Sequence, residues 1–273
     1  MKRIRSNNSE DEANGSKLRK KNATSTISQY VQHRYGAFKN YYFFNPVNER
    51  LKFLTKDVIE FIGLDRSVKT EIRVCDLGCN SGDLTMSLYR IISEHHKNKT
   101  CKILGIDLDE DLVNVAIEKL GSFDPGERKN IEFKVCDIMS NQNNIVINQQ
   151  YDLISCFGLT MWIHINHGDE GLEQFLCKIS KQCTCLMIEP HPWKTYRKAA
   201  KRLRKCTVEA HDSKNVKNTF EHLSNLKHRG QDILDHIHNI ITRNGFEKRM
   251  LIGKTKWGRH IFVYKKTDTV EKK

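Results

Sequence analysis

Ile72-Arg73-Val74-Cys75-Asp76-Leu77-Gly78-Cys79-Asn80-Ser81-Gly82-Asp83 runs from an apolar, β-branched stretch straight into a loop bounded by glycines. The first half reads as a strand, and the segment that follows, Asp83–His95, reads as a helix. Glycine at both ends of the loop lets the backbone come close to a ligand, and the helix N-terminus behind it presents free N–H groups to a polar or anionic group. The spacing is Gly-x-x-x-Gly rather than the Gly-x-Gly-x-x-Gly of dinucleotide folds, which argues against a nicotinamide cofactor. Taken alone, such a loop is also compatible with an ordinary tight turn.

Outward from this loop, short apolar runs alternate with helix-length segments. Cys101–Asp107, Ile131–Cys136, Tyr151–Phe157 and Thr184–Glu189 are expected as further strands. Glu110–Leu120 and Gly168–Lys181 are expected as helices, the second entered through Asp169 as N-cap. That alternation implies a parallel sheet with crossover helices. Gln231–Asn244 reads as a helix stopped at Gly245. Lys248–Lys254 and His260–Lys265 follow as two strands joined by a tight Lys256-Trp257-Gly258 turn. A closing hairpin puts one antiparallel strand on the sheet. The expected α/β architecture is therefore a seven-stranded, mostly parallel sheet with helices on both faces. It resembles the class I, Rossmann-like methyltransferase layout, whereas a dehydrogenase would continue with another parallel repeat.

Two more acidic residues fall at strand ends. Gly105-Ile106-Asp107 places a carboxylate where it can accept both ribose hydroxyls of a nucleoside. In Cys136-Asp137-Ile138, Asp137 can accept from an adenine amino group while Ile138 covers the ring. A lone Asp at such a place is usually a turn residue. Three in register at the carboxyl ends of consecutive strands make a pocket, and the combination reads as an S-adenosylmethionine site. Residues 30–60, aromatic and basic, read as a helical or irregular lid, with a helix packed on the domain as the alternative. The expected organisation is a disordered basic tail over 1–28, a lid segment over 29–70, the methyltransferase domain over 71–267 and a disordered tail over 268–273.

Bulk composition narrows the partners. The 273 residues are 38% hydrophobic and 29% charged, which suits one domain with a real core. The longest mainly apolar stretch, Tyr151 to Ile163, is too short to span a membrane. The opening stretch is charged with no apolar run behind it, so the expectation is an intracellular protein, nuclear or cytoplasmic. Nine cysteines, an odd count lying mostly in strand-like runs, imply reduced buried thiols rather than a disulfide framework. A net charge of +13 points to a polyanionic partner, and two clusters carry it. Lys17–Lys21 belongs to the tail, as a nuclear address or a solubilising arm. Trp193–Lys205 has seven basic residues and no acidic one.

The segment Gly158-Leu159-Thr160-Met161-Trp162-Ile163-His164-Ile165-Asn166-His167-Gly168-Asp169-Glu170-Gly171-Leu172, with Glu189-Pro190-His191-Pro192-Trp193-Lys194 after the fifth strand, resembles the bicoid-interacting-protein-three family of RNA 5′-phosphate methyltransferases. Tyr35-Gly36-Ala37-Phe38 and Asn45-Pro46-Val47-Asn48-Glu49-Arg50-Leu51 resemble its N-terminal signature, so the likeness covers roughly residues 30–265. Asn80-Ser81-Gly82-Asp83-Leu84, Thr160–His164 and the Trp193–Lys205 run are more similar to the branch acting on a 5′ monophosphate of transfer RNA and microRNA precursors. The other branch caps the γ-phosphate of small nuclear RNA such as 7SK. The resemblance implies Arg50 on the methionine carboxylate, Gly78 and Asn80 in the first loop, Asp107 on the ribose, Asp137 and Ile138 at the adenine, and Phe157 lining the site, with core packing as the alternative for Phe157. Partners expected are a small RNA with a 5′ phosphate and no membrane, with room left for components of RNA–protein complexes. A non-catalytic RNA-binding module and a small-molecule or protein methyltransferase are the competing readings.

A terminal phosphate carries about −1.5 to −2 charge at pH 7, so the attacking oxygen needs no general base. Alignment and exclusion of water become the protein's tasks. Tyr42, with Tyr41 beside it, is expected to approach the acceptor phosphate, with aromatic packing as the alternative. His164 and His167 are spaced His-x-x-His without a further ligand beside them, so no metal is expected. They are placed on the loop after the fourth strand as donors to the phosphate, the alternative being a cap on the helix that begins at Asp169. On a helix over Trp193–Lys205, Tyr196, Ala199, Ala200 and Leu203 form an apolar stripe. Lys194, Arg197, Lys198, Lys201 and Lys205 share another face, expected to bind the RNA backbone.

Overall fold

The computed structural model describes residues 30, 32–64, 69–140, 149–205 and 219–267. The tails expected over 1–28 and 268–273, with the Lys17–Lys21 cluster, lie outside them. Seven strands, β1 (Glu71–Leu77), β2 (Thr100–Asp107), β3 (Ile131–Val135), β4 (Tyr151–Phe157), β5 (Cys183–Glu189), β6 (Lys248–Lys254) and β7 (His260–Lys265), form one sheet in the order β3-β2-β1-β4-β5-β7-β6. The first five pair in parallel, and β7 runs antiparallel to both β5 and β6. The sheet is the one expected, with the third strand ending one residue earlier, at Val135.

Central strands are covered on both sides, which is why every position of β1 from Val74 to Leu77 and of β5 from Cys185 to Glu189 is buried. One apolar layer is built from helix α1 (Asp83–His95), helix α2 (Glu110–Leu120) and the short helix Lys56–Ile62, through Leu84, Leu88, Val113, Ala116, Val58 and Ile62. The other comes from α3 (Thr160–Lys181), α4 (Trp193–Lys205) and α5 (Asp232–Arg243), through Leu172, Phe175, Tyr196, Leu203, Ile237 and Ile241. The strand order reverses between β1 and β4, and the crevice at the carboxyl ends of such strands is where open α/β sheets hold ligands.

The segment before β1 folds over that crevice and is held there by polar ties. Asn80 Nδ2 donates to the Phe38 carbonyl at 3.1 Å, Asn166 Nδ2 to the Arg34 carbonyl at 3.0 Å, and Arg50 Nε to Glu189 at 2.8 Å. The stretch expected as a lid is thus a cover built of short helices, Tyr41–Phe44, Asn48–Leu51 and Lys56–Ile62, docked on the domain.

Helix α3 departs from expectation. The chain does break at Gly168, where φ is 73° and ψ −174°, but the preceding stretch from Thr160 is already helical. Asp169 is not an N-cap. Its carboxylate accepts from His164 Nε2 at 2.9 Å and from the Lys227 amide at 2.9 Å, tying α3 to the segment before α5.

Candidate active site

A cavity of about 300 Å³ opens at the tips of β1, β2 and β4, under the N-terminal cover. The glycine loop forms its floor, with Gly78, Asn80 and Gly82 all at positive φ (74°, 51° and 77°). Asn80 uses its side chain inside the protein: Oδ1 accepts from the Ser81 amide at 2.9 Å while Nδ2 holds the cover at Phe38. Asp76, just before the loop, accepts from Thr85 and Ser155 at 2.6 Å each, and burial pushes its carboxyl up to about 6 against those two bonds.

Asp107 stands at the end of β2 and lines the cavity. Its carboxylate accepts the Asn80 amide at 2.9 Å and the Asp109 amide at 3.1 Å. Burial raises its pKa, opposed by those backbone bonds. Asp137 and Ile138 line the same end, Asp137 exposed and accepting from the Met139 amide at 2.9 Å, Ile138 buried.

Arg50 comes from the cover and is buried at 2% exposure. Its guanidinium lies 5.4 Å from the rings of Tyr41 and Phe157 and 5.1 Å from that of Trp257. Nε and Nη2 both donate to Glu189, at 2.8 and 2.5 Å, and Nη2 also to the Tyr41 hydroxyl at 2.6 Å. Burial works against the charge, yet Tyr41 and Glu189 beside it hold the pKa above the ordinary arginine value. Nη1 has no partner among the described residues, although Arg50 lines the cavity. An unsatisfied buried donor is costly, and a ligand carboxylate is the group whose geometry answers a guanidinium edge. The cavity therefore fits S-adenosylmethionine: its lining holds acceptors at the β2 and β3 ends for a nucleoside, and Arg50, with Nη1 unpartnered among the described residues, for a carboxylate. Phe157 lines the cavity and also packs against the core layer.

The expected acceptor residues separate. His164 lies inside α3 with 0% exposure, Nδ1 3.1 Å from the Tyr196 hydroxyl and Nε2 on Asp169, and cannot face an acceptor. A helix starting at Thr160 turns position 164 inward with Thr160 and positions 162, 163, 166 and 167 toward the cavity, which Trp162, Ile163, Asn166 and His167 line. His167 is thus at the site, and burial holds its pKa below the ordinary value. Tyr42 lines the cavity, but its hydroxyl donates to the Cys79 carbonyl at 3.3 Å; burial and Asp76 raise its pKa well above the usual value. The neighbouring Tyr41 hydroxyl reaches the arginine instead.

Helix α4 spans the expected residues, with Tyr196, Ala199, Ala200 and Leu203 buried. Lys194, Arg197, Lys198, Lys201 and Lys205 are exposed, and none forms an ion pair within the described residues. The helix borders the cover, with the Arg202 guanidinium 6.0 Å from the Phe38 ring, which in turn lies 6.1 Å from the Trp162 ring.

Sequence reasoning missed Glu189, Trp257 and Arg259 as site residues. Trp257 Nε1 donates to Glu189 at 2.6 Å, and Arg259 Nη1 lies 3.7 Å from the same carboxylate. A buried acid in the Glu-Pro-His-Pro-Trp run was the available signal. No spacing links it to a turn some seventy residues later.

Residues 151–266 match the family model of Bicoid-interacting protein 3, and residues 75–185 that of a methyltransferase domain. An RNA 5′-monophosphate methyltransferase of Bos taurus is 34% identical over 254 residues, covering 87% of this chain and 82% of that protein. The U6 snRNA methylphosphate capping enzyme Amus of Drosophila melanogaster is 26% identical over 196 residues, covering 68% and 61%. Among solved structures, one of WbdD with its C-terminal bundle ordered aligns with a TM-score of 0.51 at 17% identity, over 80% of this chain and 35% of that one. That likeness concerns the fold.

Proposed function

This chain belongs to the Bicoid-interacting protein 3 family, and we propose on that footing that it is an S-adenosylmethionine-dependent methyltransferase acting on the 5′-terminal phosphate of RNA, with a monophosphate as its preferred end. The observation that carries the reading is the cavity itself. Asp107, Asp137 and Arg50, whose Nη1 is unpartnered among the described residues, all line it, and α4 nearby carries exposed cations. Relatives named for the 5′ monophosphate cover more of the chain, at higher identity, than the capping relative does.

Bound S-adenosylmethionine would supply a methyl group on a cationic sulfonium, transferred in line to an anionic phosphate oxygen as the S–CH3 bond breaks and adenosylhomocysteine leaves. Asp107 accepts the ribose hydroxyls, Asp137 and Ile138 take the adenine, and Arg50 Nη1 binds the methionine carboxylate. Phe157 and Tyr42 wall the cavity. His167, neutral near pH 7, donates a hydrogen bond on the acceptor side without adding charge. The nucleophile arrives deprotonated, so these groups act by orientation and by keeping water out. Lys194, Arg197, Lys198, Lys201 and Lys205 hold the RNA backbone.

A monophosphate and a triphosphate place the terminal oxygen several ångströms apart, far more than displacement geometry tolerates. One RNA sequence prepared with three different ends is therefore expected to be methylated efficiently as the 5′ monophosphate, poorly as the triphosphate and not at all as the 5′ hydroxyl. Preference for the triphosphate would move the chain to the capping activity, and equal use of the hydroxyl would overturn phosphate methylation altogether. Changing Lys198, Lys201 and Lys205 together to Gln should raise KM for RNA at constant cofactor affinity. Each lost phosphate contact should lower the log–log salt slope by about 0.7–0.9. An unaltered slope would make α4 a merely solvated face.

A further inference from the structure

At the tip of β4, Gly158 has φ +64°, and a Cβ built there would lie 2.9 Å from Arg259 Nη1, 3.1 Å from the Tyr41 hydroxyl and 3.5 Å from His191 Cε1. Three polar side chains from three separate parts of the chain thus converge on one point beside the cavity, which Gly158 and Tyr41 line. Any side chain at 158 would displace them as well as adopt a disfavoured backbone.

The convergence is built rather than incidental. Arg259 is held by its backbone, whose amide donates to Thr255 Oγ1 at 3.1 Å and whose carbonyl accepts the Thr255 amide at 2.9 Å. Its side chain is 12% exposed. The Gly158 amide donates to the Glu189 carbonyl at 3.0 Å, locking the β4 tip to β5. His191 follows two residues later, 2% exposed, and its Nδ1 has no partner among the described residues. Burial, with Arg259 and Arg50 close by, drives its pKa well below the ordinary value, so it brings an N–H without a charge.

Glu189 is shared between two guanidiniums: Arg50 at hydrogen-bond distance and Arg259 at 3.7 Å, too far for a hydrogen bond. Asp76, buried at the end of β1, also feels the Arg50 charge, so it is Arg259 that has no hydrogen-bonded carboxylate among the described residues, and an anionic ligand oxygen would supply that partner. The nucleoside end of the cavity lies at β2 and β3, and the free edge of Arg50 answers the methionine carboxylate. The β4 side of the switch point is therefore left for the second substrate.

We propose that Arg259 and His191, with the Tyr41 hydroxyl between the two arginines, form the receptor for the acceptor's terminal phosphate. The assignment rests on the 5′-phosphate reading above. One guanidinium and one neutral N–H grip the non-attacking oxygens of a dianion while leaving the attacking oxygen unneutralised. The site selects for the presence of a terminal phosphate, whereas α4 binds the chain behind it without regard to the end.

The test measures the affinity of one RNA sequence carrying either a 5′ phosphate or a 5′ hydroxyl, with the protein saturated in adenosylhomocysteine. The unsubstituted protein is expected to favour the phosphate by about 10- to 100-fold, the worth of a charge-assisted hydrogen bond. Arg259→Gln should bring that ratio close to one, and Arg259→Lys, which keeps the charge without the fork, should leave an intermediate value. His191→Ala should lower the ratio, and His191→Gln, which retains an N–H, should restore most of it. Adenosylhomocysteine affinity, measured by calorimetry, should stay within about threefold throughout, which also reports that each variant is folded. A protein that discriminates between the two ends but keeps its ratio in both Arg259 variants overturns this receptor while sparing the 5′-phosphate reading. A protein that never discriminates overturns both.

Discussion

Glu189→Gln is expected to lower the thermal unfolding midpoint by on the order of 10 °C and to weaken adenosylhomocysteine binding strongly. Glu189 is fully buried and accepts from Arg50 Nε and Nη2 and from Trp257 Nε1, with Arg259 3.7 Å away. Removing one partner of a buried ion pair typically costs about 3–5 kcal/mol, because the remaining charge stays behind without its counter-ion. Here two guanidiniums stay behind. In a domain of this size each kcal/mol moves the midpoint by about 2–4 °C. The amide of Gln keeps the shape and one acceptor oxygen, so the loss reports the charge rather than a cavity. Calorimetric unfolding and adenosylhomocysteine titration together decide the matter. A midpoint within about 2 °C of the parent, with unchanged affinity, would show that Glu189 is not the hub. Combining Arg50→Met with Glu189→Gln should destabilise by less than the two effects added, since one uncompensated charge goes with the other.

Asp107→Ala should weaken adenosylhomocysteine binding by about 10²- to 10⁴-fold while leaving the midpoint within a few degrees. Two ribose hydroxyls would each lose a bond to a charged acceptor, worth about 1.5–3 kcal/mol apiece. The carboxylate also holds the Asn80 and Asp109 amides, so the glycine loop should loosen, adding to the loss. Asp107→Asn retains one carbonyl oxygen and should fall between. Titration calorimetry on the three proteins measures this, and an Ala variant binding as tightly as the parent would remove Asp107 from the cofactor site. The core is spared because the side chain sits at a strand end and its bonds go to loop backbone.

How far the site could be read ahead depends on what each residue's position rests on. The Gly78–Gly82 loop, Asp107 and Asp137 follow from strand ends, and strand ends follow from runs of apolar residues that only a sheet covered on both faces can bury. The α4 stripe was equally legible, because three- and four-residue spacing decides which side of a helix is buried. His164 was misplaced because a His-x-x-His pair looks alike on a loop and on a helix. Once Thr160 starts the helix, the rotation of about 100° per residue turns His164 into the core and leaves His167 at the cavity. Tyr41 and Tyr42 both line the cavity, but their hydroxyls part, Tyr41 accepting from Arg50 and Tyr42 donating to the Cys79 carbonyl, because adjacent residues on a helical turn point in different directions.

What the sequence determined by itself was therefore local and periodic: the order of strands and helices, the glycine loop, the acids at the strand ends and the basic face of α4. The tertiary structure alone decided the Arg50–Glu189–Trp257–Arg259 cluster, which draws its members from the cover, the end of β5 and the β6–β7 turn. Residues up to about two hundred positions apart are brought together there by the strand order of the sheet, which sets β7 beside β5. Periodicity reports which way a side chain points, whereas a charge cluster depends on which elements end side by side.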